Sequence, residues 1–277
     1  MPDTLQTSPA TLLIDLGNTR IKLGVVTPEM HQARFIAAYP HDRLDQLIDW
    51  ITQTLADLPQ TPTAAFGVSV ASADLMQHIE ATLGRLATPV DVRWIWPQQH
   101  AHGMRNGYPE PAQLGADRWA GMLGVMRRFA HEKRSVILAN FGTATTIDTL
   151  SRDKCFLGGL ILPGVSMMQT ALSTGTARLP LANGEVSDFP TNTHAAITTG
   201  IVAAQLGAIR RQIDLCVARE GDFPKVCVSG GAWDLLESEW HRALPSIDVD
   251  QLPHVVLDGL TLYAQSAGPQ PSSLAQT

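Results

Sequence analysis

The sequence predicts an α/β protein made of two similar halves, each a mixed β-sheet flanked by helices. Twice an apolar run ends at a polar residue, passes through a glycine-threonine turn and reverses into a second apolar run. This device occurs at Asp15-x-Gly17-x-Thr19 and at Asn140-x-Gly142-Thr143. A repeat at about half the chain length is typical of a duplicated fold. A third strand-like segment follows each hairpin, and 277 residues suffice for two domains of ordinary size.

The elements of the first half follow from hydrophobic periodicity. We expect strands at 11–16, 20–26, 33–38, 64–71 and 90–96, and helices at 44–55 and 73–86. Three strands followed by alternating helices and strands favour a mixed sheet with helices packed on it. The loop at 97–111 is rich in Gly, Pro, Asn and His. Long loops of this kind are often functional.

The second half opens with a predicted helix at 115–131, whose apolar residues recur every three or four positions. Further strands are expected at 135–140, 144–150, 156–162 and 225–228, and further helices at 165–172, 193–219 and 232–240, before a last strand–helix pair around 255–264. We therefore expect an N-terminal domain over 1–114 and a C-terminal domain over 115–277.

The first hairpin, residues 11–26, is suited to phosphate chemistry. Glycine lets a ligand approach the backbone closely, and turn amides form a cradle for anions. Asp15 at the mouth of the hairpin can hold a divalent cation directly or through water, and Lys22 can reach a phosphate. The alternative is an ordinary hairpin in which Asp15 and Asn18 only satisfy the turn. Because the same turn motif occurs again at Asn140-x-Gly142-Thr143, we expect the two turns to bind one polyphosphate from two sides.

A second group of polar residues lies at the start of the predicted helix at 115–131. Arg118 can bind a carboxylate with two parallel hydrogen bonds. Asp117 is placed to accept a hydroxyl proton. The alternative is an aspartate that stabilises the helix dipole beside a solvated arginine.

Composition excludes several classes of function. A net charge of −6 without a basic stripe argues against a nucleic-acid partner. The three cysteines have no CxxC spacing, which favours a reducing, cytoplasmic environment. The longest apolar stretch is interrupted by Pro163 and is too short to cross a bilayer, and the N-terminus lacks a signal pattern, so we expect no membrane association.

Further segments occur in a fixed order between and after the two hairpins. They are Tyr108, Gly115-Ala116-Asp117-Arg118, the run from Gly158 to Gly164, the run from Thr176 to Pro180, Asn192-Thr193 and Gly230-Gly231. Singly these motifs are weak, but jointly and in order they are specific. With them the chain resembles the type III pantothenate kinases and their Bvg accessory factor branch. That family lies within the superfamily shared by actin, the sugar kinases and the heat-shock chaperone ATPases.

The resemblance implies two tandem actin-like (ribonuclease H-like) domains, each a mixed sheet flanked by helices, and a homodimer. It implies ATP- and Mg²⁺-dependent phosphorylation of pantothenate to 4'-phosphopantothenate, the first step of coenzyme A biosynthesis. It implies ATP contacts at Asp15, Leu16, Gly17, Asn18, Thr19, Arg20, Ile21, Lys22, Thr143, Gly230 and Gly231. It implies substrate contacts at Tyr108, Gly115, Ala116, Asp117, Arg118 and Thr193, with Asp117 as the catalytic proton acceptor and Thr193 facing the partner protomer's site.

Asn140 departs from the pattern of the family. The family often has an aspartate at this position that binds a monovalent cation, K⁺ or NH₄⁺. Asparagine offers one neutral carbonyl oxygen instead, so we expect weaker binding of the cation here.

Two other functions remain open on the sequence. One is an actin-like kinase of another small hydroxy compound. The other is a non-enzymatic accessory factor of virulence gene expression, as proteins similar to this one have been described. The retained Asp15, Lys22, Asp117 and Thr143 favour an enzyme.

Overall fold

The computed structural model describes residues 10–40, 43–58, 61–176 and 179–267. The first part of the chain forms five strands and two helices. These are β1 (Thr11–Leu16), β2 (Arg20–Val26), β3 (Arg34–Pro40), α1 (Leu44–Ala56), β4 (Ala64–Ser69), α2 (Ala73–Gly84) and β5 (Asp91–Trp94). Each lies within a few residues of its predicted position, because the apolar periodicity is strong in all seven.

The rest of the chain contributes seven strands and five helices to the described structure. These are β6 (His100–Ala101), β7 (Met104–Asn106), α3 (Ala116–Arg128), β8 (Val136–Phe141), β9 (Ala144–Leu150), β10 (Cys155–Pro163), α4 (Val165–Gly175), α5 (Thr193–Glu220), β11 (Lys225–Ser229), α6 (Glu237–Ala243), β12 (Val249–Gln251) and α7 (Val255–Ser266). Short 3₁₀ turns occur at Pro111–Gln113 and Trp233–Leu235.

The strands form two sheets with the same internal order. The first runs β3-β2-β1-β4-β5, and the second runs β12-β11-β8-β9-β10-β7-β6. With the strands of each repeat numbered from its own hairpin, both contain the order 3-2-1-4-5. In both, the first three strands are antiparallel, and the fourth lies parallel to the first on its other side. The repeat inferred from the two turns is therefore a repeat of the whole sheet topology.

The second sheet has an addition that the sequence did not predict. The segment expected as a loop at 97–111 contains the hairpin β6–β7. β7 pairs in parallel with β10, on the side of β10 opposite β9. The two turn residues of this hairpin, His102 and Gly103, have φ angles of 50° and 86°. Positive φ at both central residues is typical of the tight turns that join hairpin strands. The two strands are too short to show a hydrophobic period.

The end of the chain also differs from the expectation. In the region of the predicted helix at 232–240, the structure has a 3₁₀ turn at Trp233–Leu235 followed by α6. The last strand is β12 at Val249–Gln251, and the region around 255–264 is entirely helical, within α7.

The chain divides into two compact units that are not contiguous in sequence. One lies within Met1–Pro97, Leu114–Arg127 and Val256–Thr277, and the other comprises Gln98–Gln113 and Arg128–Val255. Most of α3 and α7 belongs to the first unit, whereas β6 and β7 belong to the second. The domain boundary between residues 114 and 115 stays a prediction. Helices α3 and α7 pack tightly on each other: the Trp119 indole N–H donates to the Tyr263 hydroxyl at 3.1 Å, and a Cβ on Gly259 would lie 1.9 Å from the Ala120 carbonyl oxygen.

Each unit has its own apolar core. In the first unit the core residues of β1 and β2 pack against α1 and α2, with Leu12, Ile14 and Leu23 fully buried. In the second unit the buried face of α5 packs on β8, β9 and β11, together with Trp233 and Trp240. None of the described helices has the length and apolarity that a bilayer span requires.

Candidate active site

Asp15 lies near the end of β1, where the first hairpin turns. Its register partner across the hairpin is Lys22 on β2, and the Lys22 Nζ lies 3.2 Å from the Asp15 Oδ2. Asp15 is 6% exposed although it is charged. Buried carboxylates need a partner charge or a metal ion, and Lys22 supplies the partner charge.

The turn after Asp15 leaves space for a ligand. The Gly17 N–H donates to the Arg20 carbonyl at 3.0 Å, which closes the turn. A Cβ on Gly17 would meet only that carbonyl oxygen, at an ordinary 3.4 Å. The protein itself therefore does not require glycine at this position. A group that approaches the turn from outside would require it. Because the Gly17 N–H already donates within the turn, it is not available to bind an anion. The anion-binding amides predicted at this turn are therefore those that follow Gly17.

Asp117 and Arg118 begin α3, in the same unit as Asp15. The Arg118 backbone N–H donates to the Asp117 Oδ1 at 2.7 Å. A Cβ on Gly115 would lie 2.8 Å from the same oxygen. Glycine at position 115 therefore leaves room for the Asp117 carboxyl, and the backbone holds that carboxyl in one orientation.

The pKa of the Asp117 carboxyl is raised above its ordinary value. The larger cause is burial, which disfavours the charged form, and the nearby Asp15 carboxylate raises the pKa further. The hydrogen bond from the Arg118 N–H acts in the opposite direction but does not cancel these effects. A carboxylate with a raised pKa is a stronger base, as a proton acceptor requires.

The second turn, at Gly142-Thr143, repeats the first in the other unit. The Gly142 N–H donates to the Ala144 carbonyl at 3.1 Å, and both turn residues are exposed. Gly164 packs closely against this turn and forms a hydrogen bond with it. Its N–H donates to the Thr143 carbonyl at 3.1 Å, and a Cβ on Gly164 would lie 2.3 Å from that oxygen.

The Gly230-Gly231 loop lies beside this second turn. It follows β11, which is parallel to β8 with Ser229 opposite Asn140, so both strands deliver their following loops to the same edge of the sheet. Gly230 has a positive φ and packs on the end of β8, where a Cβ would lie 2.3 Å from the Phe141 carbonyl oxygen. Around Gly231 a Cβ would meet nothing within 4 Å. The structure thus brings Asn140, the turn and the glycine loop together.

Tyr108 and Thr193 line different cavities of the second unit. Tyr108 follows β7, and its N–H donates to the Asn106 Oδ1 at 3.0 Å. It lines a cavity of about 560 Å³ against β10 and α5. Thr193 is the first residue of α5, after the capping Asn192, and lines a cavity of about 890 Å³. Among the described residues, these two predicted substrate contacts therefore line separate cavities.

Comparison with known proteins decides the family. The model of the type III pantothenate kinases matches residues 11–215. The type III pantothenate kinase of Bordetella bronchiseptica is 45% identical over 267 residues, which cover 93% of this chain and 98% of that protein. The chain belongs to the type III pantothenate kinase family. The resemblance inferred from the motifs is thus confirmed. The protein is a kinase, and ATP is its phosphoryl donor.

Solved structures show the fold. A putative 2-dehydro-3-deoxygalactonokinase from Sinorhizobium meliloti has a TM-score of 0.55 at 13% identity, covering 94% of this chain and 99% of that one. A putative Baf family transcriptional activator from Campylobacter jejuni has a TM-score of 0.52 at 19% identity, covering 92% and 98%. At these identities the likeness concerns the fold alone. Together with the two 3-2-1-4-5 sheets, it confirms the predicted actin-like class.

The sequence analysis missed two residues that hold the region of the second turn in place. Gly164 was noted only as the end of a motif, although it holds the second turn in place. Gln205 on α5 is fully buried, and its Nε2 donates to the Pro163 carbonyl at 3.0 Å. A buried glutamine within an apolar helix face is a visible signal, but its partner lies far away in sequence.

Proposed function

We propose that this protein transfers the terminal phosphoryl group of ATP to the primary hydroxyl of pantothenate, as the first step towards coenzyme A. The observation that supports this most directly is the pair of aspartates in the first unit. Asp15 and Asp117 are about a hundred residues apart in sequence, yet they are close enough for the charge of one to raise the pKa of the other. In a chain of this family, that pairing suits a phosphate-binding and a proton-accepting carboxylate.

Asp117 is the proposed proton acceptor. Its carboxyl is held by the Arg118 N–H and has a raised pKa, so it can orient the hydroxyl and take its proton. In a loose phosphoryl-transfer transition state the hydroxyl need not lose its proton early. Orientation of the acceptor is therefore the larger part of the proposed role. Arg118, with its fork of donors, is proposed to bind the acceptor.

The two turns are proposed to hold the phosphates. In the first unit, Lys22 would supply positive charge to a phosphate at the first turn. In the second unit, the exposed Thr143 turn would supply backbone amide dipoles to a phosphate. Among the described residues, no group of three or more His, Cys, Asp or Glu side chains has the arrangement of a metal site. This fits Mg²⁺, which is usually bound by one or two carboxylates, waters and the phosphates of the nucleotide. Asp15 would hold this ion, whose charge offsets that of the transferring phosphoryl group.

A monovalent cation, K⁺ or NH₄⁺, is proposed to play a smaller role here. Asn140 is partly buried at the end of β8, opposite Ser229 and Thr146. Its neutral amide does not repel a triphosphate as a carboxylate would. The need for a compensating cation is therefore reduced.

The protein is proposed to act as a homodimer. Among the described residues, Tyr108 and Thr193 line separate cavities, and a dimer would let one substrate contact Tyr108 of one chain and Thr193 of the other. Exposed apolar side chains of the second unit support an interface: Ile161, Met167, Leu181 and Leu215 are 48–66% exposed. Light scattering at assay concentration should give twice the mass of the chain. An active monomer would contradict the proposal.

The cellular setting is proposed to be the cytoplasm, without a nucleic-acid partner. All three cysteines are free and buried, as in a reducing compartment. The net charge of −6 does not favour contact with phosphodiester backbones. A direct role in gene expression is therefore not favoured, in agreement with the family match.

The test is a coupled ADP-release assay with purified protein, ATP, Mg²⁺ and pantothenate, with and without K⁺ or NH₄⁺. We expect turnover that requires pantothenate. Asp15→Ala should abolish Mg²⁺-dependent turnover, and Lys22→Ala should raise the KM for ATP. ADP release at the same rate without pantothenate, or with another small hydroxy compound in its place, would refute the proposed substrate.

A further inference from the structure

Gln205 is a polar side chain within an otherwise apolar face of α5. It is fully buried, and the residues one turn before and one turn after it on the same face are the buried Ile201 and Ile209. Burying an amide costs free energy unless hydrogen bonds replace those that it makes with water. An aliphatic side chain would bear no such cost. The amide is therefore explained by the groups that it holds rather than by the packing of α5.

The Gln205 amide reaches the junction between β10 and α4. Its Nε2 donates to the Pro163 carbonyl at 3.0 Å and to the Met168 Sδ at 3.4 Å. Pro163 is the last residue of β10, and Met168 lies in the first turn of α4, whose N-cap is Gly164. Among the described residues, the Gln205 Oε1 has no partner. The donor half of the amide is thus the half that the fold uses, and it fastens both segments that flank Gly164.

The hydrogen bond to Pro163 holds one peptide plane. The Pro163 carbonyl and the Gly164 N–H belong to the same peptide group, which is planar. That N–H donates to the Thr143 carbonyl at 3.1 Å. The peptide group therefore lies between Gln205 and the second turn. Hydrogen bonds on both sides of one group polarise it and strengthen each other.

This peptide plane in turn fixes the direction of the amides of the second turn. The Thr143 carbonyl and the Ala144 N–H belong to one peptide group, in which they point in opposite directions. Holding the carbonyl on Gly164 therefore sets the direction of that N–H. The Gly142 carbonyl oxygen also lies against Gly164, since a Cβ there would be 2.5 Å from it. A tilt of the Pro163–Gly164 peptide would thus turn the amides of the exposed turn.

We propose that Gln205 is a positioning residue for the nucleotide. It orients the Pro163–Gly164 peptide and, through that peptide, the backbone amides of the second turn that bind a phosphate of ATP. This rests on the proposed function, in which the second turn holds a phosphate. Gln205 is fully buried, so it acts through Thr143 and not by contact with the nucleotide.

Gln205→Glu makes the hydrogen-bond donor depend on pH. Burial raises the pKa of a carboxyl, and only the protonated form can donate to the Pro163 carbonyl. We expect the KM for ATP of this variant to match the wild type below that raised pKa. It should rise to about fivefold the wild-type value as the pH increases through it, the scale of one lost hydrogen bond. The ratio of variant to wild-type KM at each pH removes the titration of ATP itself.

Two further variants separate this role from packing. Gln205→Met is similar in size and lacks the donor, so it should raise the KM for ATP about fivefold at every pH. Its kcat and its KM for pantothenate should stay near the wild-type values. Ile209→Met changes a buried neighbour on the same face and should leave the KM for ATP unchanged.

Four results would overturn the proposal. They are an unchanged KM for ATP in Gln205→Met, an equal rise in Ile209→Met, an equal rise in the KM for pantothenate, and a Gln205→Met variant that does not fold, which would assign the residue to the core alone. If Gly164→Ala also leaves the KM for ATP unchanged, the proposed role of the second turn fails as well. ADP release that does not require pantothenate would count against the proposed acceptor and not against Gln205.

Discussion

Replacing Asp117 by asparagine should make the protein more stable and much less active. The raised pKa of the Asp117 carboxyl means that the folded protein binds this proton more tightly than the unfolded chain does. The contribution of the protonated Asp117 carboxyl to the free energy of unfolding is therefore fully present below the unfolded pKa of about 3.9. This contribution is lost as the pH rises through the folded pKa. At neutral pH the ionised carboxylate destabilises the fold by about 1.4 kcal/mol for each unit of pKa shift.

The asparagine variant removes the charge and keeps the shape. Its Oδ1 can still accept from the Arg118 N–H, which donates at 2.7 Å in the native protein. We expect the melting temperature at pH 7 to rise by about 2–4 °C for each 1 kcal/mol relieved. Turnover should fall by about a hundredfold or more, because the neutral amide orients the hydroxyl less strongly than the carboxylate does and cannot accept its proton.

Calorimetry and the ADP-release assay measure the two effects on the same preparations. The gain in melting temperature should shrink as pH is lowered, since the native carboxyl then becomes protonated. Asp74→Asn is the matched control, because Asp74 lies in the first turn of α2 and is exposed. Its loss should leave the melting temperature unchanged or slightly lower. An Asp117→Asn variant that melts below wild type and retains its turnover would refute the reasoning on both counts.

Three further outcomes are expected. The turnover of the native enzyme should decline as pH falls through the raised pKa of Asp117, at a higher pH than for an exposed aspartate, in a pH–rate profile of kcat. Gly164→Ala should raise the KM for ATP, because its Cβ would lie 2.3 Å from the Thr143 carbonyl oxygen. Gly175→Ala is the control and should leave this KM unchanged, since its Cβ would meet nothing within 4 Å. If the KM for ATP is the same in both variants, Gly164 does not support a turn that binds the nucleotide. Asn140→Asp should strengthen the dependence on K⁺, measured as activity against KCl or a bulky cation at constant ionic strength. Strict K⁺ dependence in the native enzyme, unchanged in the variant, would show that position 140 does not set it.

Local signals were sufficient for most of the secondary structure. The first hairpin, the long helix α5 and the strands β8 to β10 combine strong periodicity with clear turn residues, so their bounds were predicted within a few residues. The hairpin β6–β7 was missed because strands of two and three residues have no period. Its stability comes from pairing with β10, which is distant in sequence.

The sequence by itself determined the duplicated α/β architecture, the family and the residues at the mouths of the two turns, because these depend on patterns within about ten residues. Tertiary structure alone decided that α3 and α7 belong to the first unit. That depends on contacts between distant segments, such as the Ala33 N–H that donates to Asp258 of α7 at 3.0 Å and the packing of Gly259 on Ala120. It also decided which groups meet. Burial and the nearby Asp15 raise the pKa of Asp117. Thr149, whose hydroxyl has no partner among the described residues, is buried where it pairs with Gly158 at a bulge in another strand. Burial and proximity arise only when segments far apart in the chain pack together, so neither could be inferred from local pattern.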